Sequence, residues 1–178
     1  MTVSQGPWLI VGQELTEALS KIDANAFDRL AQVFANSERR WFFAGQGRSG
    51  LSAQMAAMRF MHIGRKVHFV GEATAPSIRK TDGLLILSAS GETPVGLSFA
   101  RIAKSEGATV VALTGKMGSP LAEIADVILH VPVDVSAQFG GSLFEQCSLI
   151  ILDGLILGLT VGIPNAHKAM QYRHTNLQ

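Results

Sequence analysis

Apolar residues first recur at helical spacing. Between Trp8 and about Ser20, and again between Ala24 and Phe34, they give the sets Leu15, Ala18, Leu19, Ile22 and Phe27, Leu30, Ala31, Phe34, which predict two leading helices. The period then changes. Short, nearly continuous apolar runs occur at Trp41–Ala44, Val67–Val70, Leu84–Leu87, Thr109–Leu113 and Val127–Val131, bounded by Gly, Ser, Asp or Pro. Runs of that kind suit strands buried on both faces of a parallel sheet. Helix-patterned segments accompany them at Leu51–Ile63, Val95–Ser105, Pro120–Ala125 and Leu143–Leu159. Alternating strands and helices predict an α/β fold built on an open, doubly wound parallel sheet of these five strands.

No repeat, linker or shift of composition divides the chain, so residues 1–178 are expected to form one domain. Residues 1–36 would be leading helices packed on the core or between subunits, and residues 37–178 an α/β core with a C-terminal helix and tail. Hydrophobic residues make up 47% of the chain and charged residues only 16%, which implies a large buried fraction and surface hidden in subunit contacts. The tract from Leu149 to Leu159 has too few polar residues to face solvent on one side, so self-association is expected. Net charge is +1 without a dense Lys/Arg run, which argues against a nucleic-acid partner. Met1 to Trp8 lacks the basic and apolar regions of a secretory signal. The apolar stretch Cys147 to Ile163 is interrupted by Asp153 and glycines and falls short of the roughly 20 residues of a spanning helix, so it reads as a buried or interface helix. With Cys147 as the single cysteine, the expectation is a soluble protein of the reducing cytoplasm, with no membrane partner.

In doubly wound sheets ligands bind beyond the carboxyl ends of the strands. After the first strand comes Gly45-Gln46-Gly47-Arg48-Ser49-Gly50, leading into a helix. Glycines permit close ligand approach, and a helix start offers free N–H groups to an anion. The same residues match GxGxxG, with Glu72 about 20 residues on, the layout of a dinucleotide site. After the third strand comes Ser88-Ala89-Ser90-Gly91-Glu92-Thr93, whose hydroxyls suit phosphate oxygens, although Ser and Thr are also favoured helix caps. A cap needs one hydroxyl and this loop has three. In a flavodoxin-like strand order both loops meet at one switch point. A dinucleotide site has no use for the second loop, and Met117 after Gly115-Lys116 rules out a Walker A match. The pair therefore favours a phosphate ester.

The segments GQGRSG, SASGET and Gly141-Ser142-Leu143-Phe144-Glu145 together resemble the phosphosugar-binding sugar isomerase (SIS) domain. Within that family, Met58–Gly64, Val70-Gly71-Glu72 and Arg173–Leu177 are similar to the 6-phospho-3-hexuloisomerases. Gln46 and Ala89 stand where small residues, commonly Ala and Gly, are expected. The resemblance implies a three-layer flavodoxin-like α/β fold, its five-stranded parallel sheet flanked by helices, in a homotetramer that interconverts 3-hexulose 6-phosphate and fructose 6-phosphate in the ribulose monophosphate pathway of formaldehyde assimilation; no HxxxH or CxxC spacing marks a metal site, and no cofactor is expected. It implies substrate contacts from Ser49 and from Ser88, Ala89, Ser90, Gly91, Glu92 and Thr93, and Glu145 as the base. Gly47 and Arg48 join the substrate-binding set, Arg48 as a cation able to neutralise phosphate.

Pattern alone leaves the acids open. Glu72 follows a strand outside the switch point, Glu92 sits where a phosphate dianion would lie, and Ser142-x-x-Glu145 is also a capping box. His174 is a second catalytic candidate because imidazole titrates near neutrality, in its own site or a neighbouring subunit's. His62 and His68 read as packing residues and Cys147 as core. Two other readings stay open: a SIS module that senses a phosphosugar without turning it over, and an isomerase of a pentose or heptose phosphate.

Overall fold

The computed structural model describes residues 6–177. Two helices lead, α1 (Pro7–Ser20) and α2 (Ala24–Ala35), followed by β1 (Trp41–Gly45), α3 (Gly47–His62), β2 (Val67–Phe69) and β3 (Gly83–Ser88). Then come α4 (Pro94–Ser105), β4 (Thr109–Thr114), α5 (Pro120–Ile124), β5 (Val127–His130), α6 (Ser142–Thr160) and α7 (Ala166–Arg173). The five strands form one parallel sheet in the order β2-β1-β3-β4-β5. This is the predicted α/β architecture, with β1 and β3 adjacent at the point where the strand order reverses.

The alternation of side chains along the strands builds the layers. Phe43, Leu85, Leu87, Val111, Leu113 and Leu129 face one side, where Leu30 and Phe34 of α2, Ala53, Ala57 and Phe60 of α3 and Cys147 and Leu152 of α6 complete the larger core. Phe42, Ala44, Leu84, Ile86, Val110 and Ala112 face the other, against Ala100 and Ala103 of α4 and Leu121 of α5. Trp41 is fully buried and stacks on Phe34 with ring centroids 3.8 Å apart, which fastens α2 to the sheet. The leading helices thus pack on their own chain's core, α1 against α6 and α2 against β5.

At the amino ends of the strands, buried Asp82 accepts from Arg40 Nη2 at 2.6 Å and from Arg79 N at 2.7 Å, tying β1 to the start of β3. Helix α6 is long and apolar enough to cross a membrane by length and composition. Within this chain its Leu143, Phe144, Ile151, Leu152 and Leu155 are buried in the larger core. Burial pushes the Cys147 thiol, also in that core, up to about 11. Helix α7 has no buried residue, so apolar spacing does not mark it.

Candidate functional site

The carboxyl ends of β1 and β3 open into a cleft of about 300 Å³. Its first wall is the start of α3. The turn between β1 and α3 is tight: a Cβ on Gly45 would lie 2.7 Å from the Ser49 backbone, and one on Gly50 2.7 Å from the Gly45 carbonyl oxygen. That contact brings the strand end and helix start together and leaves Gln46, Arg48 and Ser49 on the cleft. The glycine-rich segment is therefore mostly the first turn of α3, which begins at Gly47 rather than Leu51.

The second wall is the segment Ser88 to Thr93. Ser88 Oγ is buried, accepts from Gly91 N at 3.1 Å and lies 3.2 Å from Thr93 Oγ1. Thr93 occupies the N-cap of α4 yet makes no side-chain capping bond, so its hydroxyl serves the loop rather than the helix end. Ser90 Oγ accepts from Glu92 N at 3.2 Å. Ser88, Ala89, Ser90 and Thr93 line the cleft. Gly91 shapes the loop from behind, at φ +64°, its carbonyl accepting from Leu121 N at 3.0 Å. Glu92 is exposed and turned toward Lys116, with Oε1 3.7 Å from Nζ, and is not among the lining residues. A carboxylate facing away removes the repulsion a phosphate dianion would otherwise meet.

The third wall is the start of α6. Gly140 and Gly141 take successive left-handed conformations, φ +50° and +89°, and Gly141 is the N-cap. The capping box read from Ser142-x-x-Glu145 does not form, because the helix starts one residue early. Ser142 Oγ donates instead to Phe139 O at 2.7 Å. Freed from the helix end, Glu145 Oε1 lies 2.9 Å from Arg48 Nε, and Arg48 Nη2 donates to Gly140 O. Arg48, expected as a free cation for phosphate, is thus shared between the candidate base and the loop before α6. Behind them Ser52 Oγ donates to Glu145 O at 3.2 Å, joining α3 to α6.

His174 is not brought to this cleft within one chain. Its ring stacks on His62, with centroids 5.2 Å apart, at the far end of α3. Arg48 and His62 are separated by almost the whole helix, about 20 Å at 1.5 Å per residue. The His62 imidazole is held below its ordinary range, first by burial and then by the positive charges of His174 and Arg59. Glu72 is exposed and lines a different, apolar cavity on the opposite side of the sheet, with Phe42 and Val70. Phe144 and the Gly140 carbonyl are parts of the site that residue types alone did not single out. Only the Gly140-Gly141 pair hinted at a sharp turn there.

Residues 34–152 match the SIS domain family. The chain is 36% identical over 177 residues to the 3-hexulose-6-phosphate isomerase of Mycobacterium gastri, covering 95% of this chain and 88% of that protein. It is 36% identical over 174 residues to the 3-hexulose-6-phosphate isomerase of Bacillus subtilis, covering 93% and 94%. A crystal structure of a hypothetical protein from Methanococcus jannaschii, reported to infer a 3-hexulose-6-phosphate isomerase function, matches with a TM-score of 0.85. It is 32% identical, covering 96% of this chain and 98% of the other. With two Ser/Gly loops meeting at the β1/β3 switch point, a glutamate opening α6 and this likeness over nearly its whole length, the chain belongs to the SIS domain family.

Proposed function

We propose that the chain is a phosphosugar isomerase that interconverts 3-hexulose 6-phosphate and fructose 6-phosphate. The observation that carries this reading is Glu145, paired with Arg48 on the cleft that the Ser88–Thr93 loop and the start of α3 enclose. The phosphate is held by the Ser88, Ser90 and Thr93 hydroxyls and the amides at the start of α3 around Gly47, with Ser49, while Gly91 keeps the loop in shape. The sugar carbons then lie toward Glu145. Its carboxylate takes the proton from C2, and the electron pair becomes the C2–C3 double bond of a cis-enediolate. The proton returns to C3, while the O2 hydroxyl proton passes to O3, leaving the carbonyl on C2. Arg48 sits beside the base, where negative charge on the enediolate develops, and stabilises it electrostatically. The reaction would serve formaldehyde assimilation by the ribulose monophosphate pathway in the cytoplasm.

Incubation with 3-hexulose 6-phosphate, with fructose 6-phosphate formation followed by a coupled assay, tests the reading directly. Binding without turnover would make the chain a sensor, and turnover only of pentose or heptose phosphates would change the sugar. Ser90→Ala and Ser88→Ala are each expected to weaken substrate binding by about 1–3 kcal/mol, the worth of a hydrogen bond to a charged group. Calorimetry showing wild-type affinity in both variants would remove this loop from the site.

The chain also exposes apolar side chains on two helices that pack together. Leu51, Met55 and Met58 of α3 and Ile150 and Leu157 of α6 are exposed, and Arg59 Nε bonds Asp153 Oδ1 across the two helices at 2.8 Å. Such side chains fit burial by further copies in a tetramer. Sedimentation at micromolar concentration is expected to show an oligomer; a lone monomer would count against it. A neighbouring copy would also be the only route by which His174 reaches a cleft.

A further inference from the structure

Helix α1 carries a carboxylate that the reaction above does not use. Glu14 is half-buried, and it accepts three hydrogen bonds from consecutive residues of the loop between β5 and α6. Ser136 Oγ donates to it at 2.7 Å, Ala137 N at 2.6 Å and Gln138 Nε2 at 3.0 Å. These bonds, the Ala137 amide foremost, hold the Glu14 carboxyl below its ordinary range. Elsewhere the loop is tied at its two ends, by Val131 N donating to Thr114 O at 2.9 Å and Ser142 Oγ to Phe139 O at 2.7 Å, and Glu14 supplies the hold on its middle. Its first residues are anchored by Val131, which is buried, and Val133, which packs on the core, but beyond them Val135 and Phe139 are each 88% exposed, so apolar burial does not hold the stretch from Asp134 to Phe139.

Two residues past Gln138, the Gly140 carbonyl receives Arg48 Nη2, and Arg48 Nε reaches Glu145. The loop is therefore held in its middle by α1 and at its end by α3. Gly140, at that end, and Gly141, which follows it, are both left-handed and lead into α6. Glycine is conformationally permissive, so fixing the residues before it narrows the positions the Gly140 carbonyl can take against Arg48. We propose that Glu14 is a positioning residue for the cleft: by clasping Ser136–Gln138 it fixes the carbonyl that, through Arg48, aims the Glu145 carboxylate. This rests on the reading of Glu145 as the base.

Two variants and a control test it. Glu14→Ala removes all three acceptor contacts, and Glu14→Gln keeps one oxygen. Glu17→Ala, on the same helix, loses only an exposed pair with Lys21. Amide exchange of residues 134–141, read without sugar, is expected to be at least about tenfold faster in Glu14→Ala, as three hydrogen bonds to a charge are lost. Turnover of 3-hexulose 6-phosphate should fall roughly 10-fold with the melting temperature of the core unchanged, because slight misplacement of a catalytic group is costly. Glu14→Gln should recover part of both losses, and Glu17→Ala should show neither. Unchanged loop exchange overturns the clasp whatever the substrate. So does wild-type kcat in Glu14→Ala, or a loss of rate that only tracks the unfolded fraction. If Glu14→Ala does not fold, Glu14→Gln decides by the same measurements. An inactive wild type would overturn the isomerase reading instead, and the exchange result would still judge the clasp.

Discussion

Glu145→Gln is expected to lower turnover by roughly 10²–10⁴, the usual worth of general acid–base catalysis, while substrate still binds. The geometry makes this substitution unusually clean. A glutamine oxygen can still accept from Arg48 Nε, as the carboxylate does at 2.9 Å, so the side chain keeps its place and loses only the ability to take the C2 proton. Stability should move by less than about 1 kcal/mol, because the Arg48 side chain in that pair is 46% exposed and water screens it. The helix end is untouched as well, since Glu145 caps nothing. Turnover in D₂O gives a second reading: a base that exchanges with solvent leaves deuterium on the product carbon in wild type. Near-normal turnover by Glu145→Gln would sink the mechanism.

Gly91→Ala is expected to distort the Ser88–Thr93 loop and destabilise the fold together. At φ +64° any side chain is strained, and a Cβ there would lie 2.0 Å from Ser119 Oγ and 2.4 Å from Ser119 Cβ. Ser119 cannot readily yield, because it is buried and its hydroxyl caps α5 by accepting from Ala122 N at 3.3 Å. Strain of the left-handed residue and overpacking together cost about 2–4 kcal/mol. In a chain of this size that lowers Tm on the order of 10 °C. If the loop yields instead, the Gly91 N bond to Ser88 Oγ and the Gly91 carbonyl bond to Leu121 N break, and phosphosugar affinity falls with them. A variant with wild-type Tm and wild-type affinity for fructose 6-phosphate would show that the loop does not depend on this close approach.

Much of the scaffold was legible in the chain because buried parallel strands are apolar throughout. The five strand runs and the helices between them follow from that alone. Some ends run on where pairing outlasts hydrophobicity, as Gly45 still pairs with Leu87 and Ser88 with Thr114, whereas β2 stops before Val70 and β5 before Val131. The two loops were legible because glycine and hydroxyl residues are concentrated where a strand meets a helix.

What could not be read is what distance in sequence conceals. Arg48 meets Glu145 only after α3 and α6 pack side by side, and nothing in either local pattern encodes that contact. The capping box failed for a local reason. A left-handed Gly141 took the cap position, shifting Glu145 beyond the place from which it could reach back. Glu14 lies on a helix whose spacing reveals only its buried side, and the loop it holds has no regular pattern.

The pairing of β1 with β3 has a consequence for how such a site can change. Gly45 stands opposite Leu87, so the turns after β1 and β3 leave the sheet at the same height, separated by one interstrand spacing. Backbone hydrogen bonds, not side chains, set the width of the cleft floor, and surface substitutions cannot retune it. Discrimination between sugars of different length then falls to the rim, where Gln46 and the residues before α6 can be exchanged without disturbing the ladder beneath. A chain built this way can acquire a new substrate by altering its rim while the paired strand ends beneath it stay the same.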